Sequence, residues 1–341
     1  MTDTRYRRNP HLLMQWGDDK RIDALNIMTG RHYRLDPTVI SLLSNLSQPR
    51  TLAELATEIP SLTKQLPGLL DKLHAADLIQ IEASESTDSS DHLWSSYELA
   101  MHIQASGIVT ISHPGRSAPS ARKEIVATRR ISLASLPLDI PSSRGLSVSE
   151  ALHRRQSIRH YSEDAITLSE LSVFLTTSAQ VIDFIGPEHN QTTHRPSPSG
   201  GARHSLELYV LCRNVTDLSP AVYYYDPFNN ELAELEQWNA GLDDLLYRLV
   251  CAPAMLTRPP DVAIYITSVV GRVFCKYKGN GLALIYRDTG CLLQSMYLVA
   301  TDLALAPCAI AMMDQLSLPG FVHARPLEEI HVASFILGRP A

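Results

Sequence analysis

The chain has 341 residues, 45% of them hydrophobic and 19% charged, with a formal net charge of -6. That composition is too apolar for a disordered chain, and the length suggests about two domains whose cores need no disulfide or structural metal. The net negative charge argues against broad attraction to nucleic acid or to an anionic membrane. No apolar run follows the basic opening Arg5-Tyr6-Arg7-Arg8, and none approaches the roughly 20 residues of a membrane helix, so a cytoplasmic protein without signal or membrane anchor is expected. Cys212, Cys251, Cys275, Cys291 and Cys308 form no CxxC pair, and the 13 histidines form no HxxxH or HExxH pair. The thiols are therefore read as reduced and structural, and no metal site is expected.

Three zones follow in chain order. In residues 1–83, Ile22–Ile27 and His32–Leu35 read as short strands around the turn Thr29-Gly30. Asp36-Pro37 offers an N-cap with proline at the first helical position, followed by apolar residues at Val39, Ile40, Leu42, Leu43 and Leu46. Thr51-Leu52-Ala53-Glu54 is a capping box for a second helix. Leu66, Leu69, Leu70 and Leu73 mark a third helix, and Ala76–Ile81 a returning strand. This is the outline of a winged-helix module, but the third helix carries only Lys64 and Lys72 to meet phosphates, so DNA binding is rejected. Arg34-Leu35-Asp36-Pro37, Arg50-Thr51-Leu52-Ala53-Glu54-Leu55-Ala56 and Leu73–Ile79 instead resemble PqqD-like domains, which bind leader segments of peptide precursors. The resemblance implies strand addition at an exposed sheet edge; a winged-helix packing module without ligand fits the same residues.

Residues 84–145 open on the polar run Ser84–Asp91, read as a linker. A helix is expected near Trp94–His102, then an extended strap punctuated by Pro114, Gly115, Pro119, Pro137, Pro141 and Gly145. Residues 146–341 mix helices and strands. Ser149–Leu152 opens a helix, Leu168–Thr177 is amphipathic, and Leu206–Leu211, Ala221–Pro227 and Asp261–Thr267 are buried strands. Cys291–Leu305 is a long apolar helix, and Val332–Gly338 is a final strand. The mixture indicates an α+β sandwich rather than a doubly wound sheet, and no GxGxxG follows a strand.

The sharpest local signal is Arg155-Gln156-Ser157-Ile158-Arg159, where two guanidiniums flank a hydroxyl just after a helix. Charged bidentate donors beside a neutral one suit a phosphate, although the pattern alone equally fits a solvated basic turn. Arg195-Pro196-Ser197-Pro198-Ser199-Gly200-Gly201 then precedes a strand, Lys276-Tyr277 follows a later one, and Asp288-Thr289-Gly290 opens the long helix. Singly, the glycine segment fits a surface turn and the lysine a surface position beside a packed tyrosine. Together and in this order, they resemble the nitroreductase superfamily, and within it the SagB-type thiazole/oxazole (azoline) dehydrogenases, over about residues 92–341.

The resemblance implies an FMN-binding sandwich and a homodimer with the cofactor at its interface. It assigns Arg155, Ser157 and Arg159 to the ribityl phosphate, with Gln156 in the same cofactor-binding stretch. Pro198, Ser199 and Gly200 would lie against the flavin ring from the opposite subunit. Ala309, Ile310 and Ala311 would belong to a loop whose N–H groups meet the flavin edge, although the family often has glycine there. Arg339 would add to phosphate binding. Lys276 and Tyr277 match a pair implicated in proton removal; a lysine desolvated beside a flavin has its pKa lowered and can act as base. Lys278-Gly279-Asn280-Gly281-Leu282 departs from the family's arginine- and tyrosine-rich continuation, which leaves the exact substrate open.

The implied activity is FMN-dependent oxidation of peptide thiazolines or oxazolines to thiazoles or oxazoles, with dioxygen as electron acceptor. The implied partners are a peptide substrate with its leader and a cyclodehydratase complex. Two other readings stand beside it. One is an NAD(P)H-dependent nitro- or ene-reductase, for which Lys276 is dispensable. The other is a non-catalytic leader-binding partner, which would be colourless.

Overall fold

A computed structural model describes residues 4–17, 21–81, 96–106, 119–133, 143–187, 191–277, 279–312, 318–325 and 327–341. The polar run Ser84–Asp91, Trp94, Pro114, Gly115, Pro137, Pro141 and Lys278 lie outside the described residues. The chain forms two compact units, Met1–Ile108 and Val109–Ala341. Among the described residues no helix is long and apolar enough to cross a membrane.

In the first unit, Arg5–Arg8, which the sequence marked only as a basic opening, is the central strand of a three-stranded sheet. It pairs antiparallel with Arg50–Thr51 on one side and Ile79–Ile81 on the other. A second sheet is the meander Leu12–Trp16, Ile22–Asn26, Arg31–Leu35. Helix Pro37–Asn45 begins where Asp36 accepts the N–H groups of Thr38 and Val39, and Leu52–Glu58 begins at the Thr51/Glu54 capping box. With Leu66–Ala75, these helices bury Leu42, Leu43, Leu46, Leu55, Leu66 and Leu70 in one leucine core. After the third helix Asp77 takes φ +54°, and its carbonyl accepts Nδ2 of both Asn9 and Asn26 at 2.8 and 2.9 Å. Two buried amides, one just past strand Arg5–Arg8 and one ending strand Ile22–Asn26, thus close on one turn. Helix Ser96–Ser106 also belongs to this unit.

The second unit is built on a seven-stranded sheet in the order Ala306–Ile310, Glu329–Gly338, Val262–Val269, Leu206–Cys212, Ala221–Asp226, Glu231–Gln237, Arg129–Ser132. Every neighbouring pair is antiparallel, so the expected α+β class holds and a doubly wound sheet is absent. Helices Leu168–Ala179 and Gly281–Asp302 cover one face, with Leu171, Phe174, Ile285, Leu292 and Met296 against Leu208, Val210, Ile264 and Phe335. Helix Ala240–Leu246 and the turns after it cover the other, with Leu242, Leu246 and Leu249 against Tyr209, Tyr224, Tyr265 and Ile336.

Burial on both faces explains the tyrosine-rich strand Ala221–Asp226, because each phenol finds an acceptor. Tyr223 donates to the Ser219 carbonyl, Tyr224 to Glu207 and Tyr225 to Asn230. The strap predicted between the zones in fact supplies an edge strand, Arg129–Ser132, paired with Glu231–Gln237. The long helix starts at Gly281, ten residues before the predicted Cys291. Lys276-Tyr277 therefore stand just before its first turn, while Asp288 lies inside it. All five cysteines are free thiols.

Candidate active site

Helix Val148–Arg154 starts at a Ser147/Glu150 capping box and stops at Arg155, where the chain turns extended. The loop that follows is tied to the sheet edge, because the Ile158 N–H donates to the Pro307 carbonyl at 2.8 Å. Ser157 Oγ lies 2.7 Å from Tyr297 Oη, and the Ala309 N–H donates to the same phenol oxygen at 2.8 Å. The Arg155 guanidinium stands 5.2 Å from the centre of the Tyr297 ring. Arg155 is half-buried, and Gln156, Ser157 and Arg159 are exposed. Among the described residues neither Arg155 nor Arg159 has a carboxylate partner, so two cations and a hydroxyl share a loop with no anion.

The second cluster forms on the loop before strand Leu206–Cys212. Ser199 Oγ donates to Asp288 Oδ2 at 2.6 Å, and the Gly200 N–H donates to both Asp288 oxygens at 3.0 and 3.1 Å. The His204 N–H in turn donates to Ser199 Oγ at 2.9 Å. Burial raises the pKa of Asp288, and the bonds from Ser199 and Gly200 work against it. Gly201 has φ +64°, and a Cβ there would stand 2.6 Å from Tyr277 Oη and 3.1 Å from Lys276 Nζ. Lys276 and Tyr277 thus lie flush against the glycine loop. The Lys276 ammonium is 5.4 Å from the Tyr277 ring centre and has no carboxylate partner among the described residues.

Both backbone N–H groups of this pair donate to the Val273 carbonyl, so they close the short helix Val270–Phe274. That helix is pinned by buried Arg272, which pairs with buried Glu207 at 2.5 Å and donates to the carbonyls of Ser120 and His204. An Ala at position 201 is expected to cost about 1–2 kcal/mol, from the left-handed backbone alone. It should also displace Tyr277. Thermal unfolding of Gly201→Ala checks this, and an unchanged Tm would contradict the geometry.

His204 sits beneath the same loop with φ +40° and is buried. Burial, followed by the charge of Arg195, pushes its pKa down to about 3. The folded state holds the ring neutral, whereas the unfolded chain takes up a proton below its ordinary value of 6.5. Stability is therefore fully present above pH 6.5 and falls as the pH drops towards 3, by about 2 kcal/mol at pH 5. His204→Asn, which tolerates positive φ, is expected to lose about 4–8 °C less Tm than the parent between pH 7.5 and pH 5. Equal losses would remove His204 as the source.

The structure groups the predicted residues in two places. Pro198, Ser199 and Gly200 meet Lys276 and Tyr277 through Gly201, while Ser157 meets Ala309 through Tyr297. Asp288 and Tyr297 anchor the two groups on one helix, nine residues or about 13 Å apart along its axis. Two placements differ from the expected setting. Ala309 and Ile310 form an edge strand rather than a loop, and the Ala309 N–H is already taken by Tyr297; only Ala311 lies beyond the strand. Arg339 donates to buried Glu170 at 2.8 and 2.9 Å and to the Ala165 carbonyl, so Nε and Nη2 of its guanidinium are engaged within the fold. Tyr297, Gly201 and the anchoring role of Asp288 were not foreseen. The lone carboxylate in an apolar helical stretch was a signal for Asp288, whereas one tyrosine of 13 gave none for Tyr297.

Residues 152–338 match the sequence profile of the nitroreductase family. A Methanocaldococcus jannaschii protein named as a nitroreductase, MJ1384, is 25% identical over 175 residues, covering 51% of this chain and 83% of its own. The crystal structure of a nitroreductase from Anabaena variabilis aligns with TM-score 0.52 and 25% identity over 72% of this chain. The alignment takes in 47% of that structure, so the chain spans about half its length. The Escherichia coli microcin synthetase McbBCD complex, solved with truncated pro-MccB17 bound, aligns with TM-score 0.47 and 16% identity, over 84% of this chain and 97% of that one.

Proposed function

Because the chain belongs to the nitroreductase family, we propose that it is an FMN-dependent oxidoreductase that oxidises the azoline rings of a peptide to azoles. The cofactor reading is supported by the donor set. Arg155, Ser157 and Arg159 present two guanidiniums with no carboxylate partner among the described residues and an exposed hydroxyl, which fit a phosphate dianion. At the other group, the lack of a Cβ at Gly201 leaves a surface on which Lys276 and Tyr277 converge. When bound, FMN supplies the two-electron acceptor.

The observation that carries the azoline reading is the placement of Lys276, which has no carboxylate partner among the described residues and lies beside a phenol on the glycine loop. Aromatising an azoline removes two ring hydrogens, one as a proton and one as a hydride. Lys276 Nζ takes the proton. Tyr277 Oη, facing the same Gly201 position, orients the lysine. Asp288 holds the Ser199–Gly200 backbone in place, so the surface on which the ring would rest is set before substrate arrives. The first unit, with its PqqD-like sequence, would hold the peptide leader and raise the local concentration of the rings. A homodimer and association with a cyclodehydratase belong to the same reading.

The test is a peptide carrying a thiazoline or oxazoline, incubated aerobically with the FMN-loaded chain and followed by mass. A loss of two mass units per ring is expected. NADPH bleaching of the flavin, with no change in the peptide, would instead favour a nitro- or ene-reductase. A colourless protein that takes no FMN would leave only the peptide-binding role.

A further inference from the structure

Resting on the FMN reading above, we propose that Tyr297 is a positioning residue that fixes Ser157 as a hydrogen-bond donor to the cofactor phosphate. The argument is one of proton direction. A backbone N–H can only donate, so the 2.8 Å bond from Ala309 makes the Tyr297 oxygen an acceptor on the side of the edge strand. The phenol has one proton. Tyr297 is buried, and among the described residues the one other oxygen bonded to its hydroxyl is Ser157 Oγ at 2.7 Å. The Cys308 thiol beside it is a weak acceptor, so the proton goes to the Ser157 oxygen, because a buried donor left unmade is costly.

Ser157 Oγ is thereby committed as an acceptor towards the core. Its own proton is left for the exposed side, along the loop that carries Arg155 and Arg159. The Cys308 thiol lies beside both hydroxyls, and sulfur is a weak acceptor that a phosphate oxygen outcompetes. Without Tyr297 the serine hydroxyl would rotate freely and offer either a lone pair or a proton; a lone pair repels a phosphate.

Two further contacts suit the residue to this task. Its ring packs edge-on against Phe335, centres 5.1 Å apart, and Phe335 stacks on Phe174, so the phenol is held by the core. The Arg155 guanidinium rests over the same ring. One side chain thus orders both a neutral and a charged donor of the loop before any ligand arrives, which lowers the ordering cost of binding.

Riboflavin, which lacks the phosphate, separates this role from a general effect on folding. The full-length apoprotein is titrated with FMN and with riboflavin, following quenching of flavin fluorescence, for the parent, Tyr297→Phe, Ser157→Ala and the double variant. Tyr297→Phe keeps the ring and its contacts and removes only the hydroxyl. It is expected to weaken FMN binding roughly five- to tenfold and to leave riboflavin within about twofold. The double variant should bind FMN no more weakly than Ser157→Ala, because the tyrosine acts through the serine.

Equal weakening of both flavins would make Tyr297 merely structural, and unchanged FMN binding or fully additive losses would break the link to Ser157. Each of these overturns the inference while FMN binding by the parent still stands. A parent that takes no FMN overturns the cofactor reading itself, and this inference with it.

Discussion

Lys276→Ala is expected to keep its FMN and lose azoline turnover by roughly 100- to 10,000-fold, the range over which a positioned general base acts. The expectation comes from where the side chain is held. Val273 fixes the backbone of Lys276 and Tyr277, and the Arg272–Glu207 pair fixes the helix that ends there. The missing Cβ of Gly201 brings the ammonium and the phenol to one surface. Nothing in that arrangement touches the phosphate loop, so flavin content measured by absorbance should match the parent. Lys276→Arg should not rescue the rate, because a guanidinium does not give up its proton in a protein. Parental turnover in Lys276→Ala would remove the base assignment, and loss of FMN along with activity would place the residue in cofactor binding instead.

Removing either guanidinium of the loop should have its effect on the cofactor rather than on the chemistry. Arg155→Ala or Arg159→Ala is expected to weaken FMN by about 10- to 100-fold, one charge-assisted hydrogen bond each. Riboflavin binding should change far less. Arg339→Ala is the internal contrast. Its guanidinium already serves buried Glu170, so its loss should leave FMN affinity unchanged while lowering stability by about 1–3 kcal/mol, from the loss of charge-assisted hydrogen bonds to a buried carboxylate. Isothermal titration with FMN and thermal unfolding of the same three variants separate the outcomes. Retained FMN affinity in both Arg155→Ala and Arg159→Ala would sink the phosphate role, and FMN loss in Arg339→Ala would place that residue in cofactor binding as well.

Much of the first unit was legible because its signals are local. Asp36-Pro37 and the Thr51/Glu54 box start helices where they were expected, since a cap needs only residues two or three positions apart. Arg5–Arg8 was missed as a strand because its neighbours, Arg50–Thr51 and Ile79–Ile81, lie more than 40 residues away. In the second unit the apolar strands Leu206–Cys212 and Val262–Val269 announced themselves by composition. Strand Ala306–Ile310 contains a proline and two alanines and did not; only its pairing with Glu329–Gly338 makes it a strand.

The site divides along the same line. By itself the sequence determined an α+β chain with caps, buried strands and the local chemistry of Arg155–Arg159, Pro198–Gly200 and Lys276-Tyr277, because each depends on adjacent residues. Tertiary structure alone decided that Gly201 would seat Lys276 and Tyr277, that Asp288 would hold the serine–glycine loop, that Tyr297 would join Ser157 to the sheet edge, and that Arg339 would pair with Glu170. The physical reason is range. Caps and motifs are set by neighbours in the chain, whereas these contacts join groups 12 to 169 residues apart, and what a polar group does is fixed by whichever partner burial brings to it.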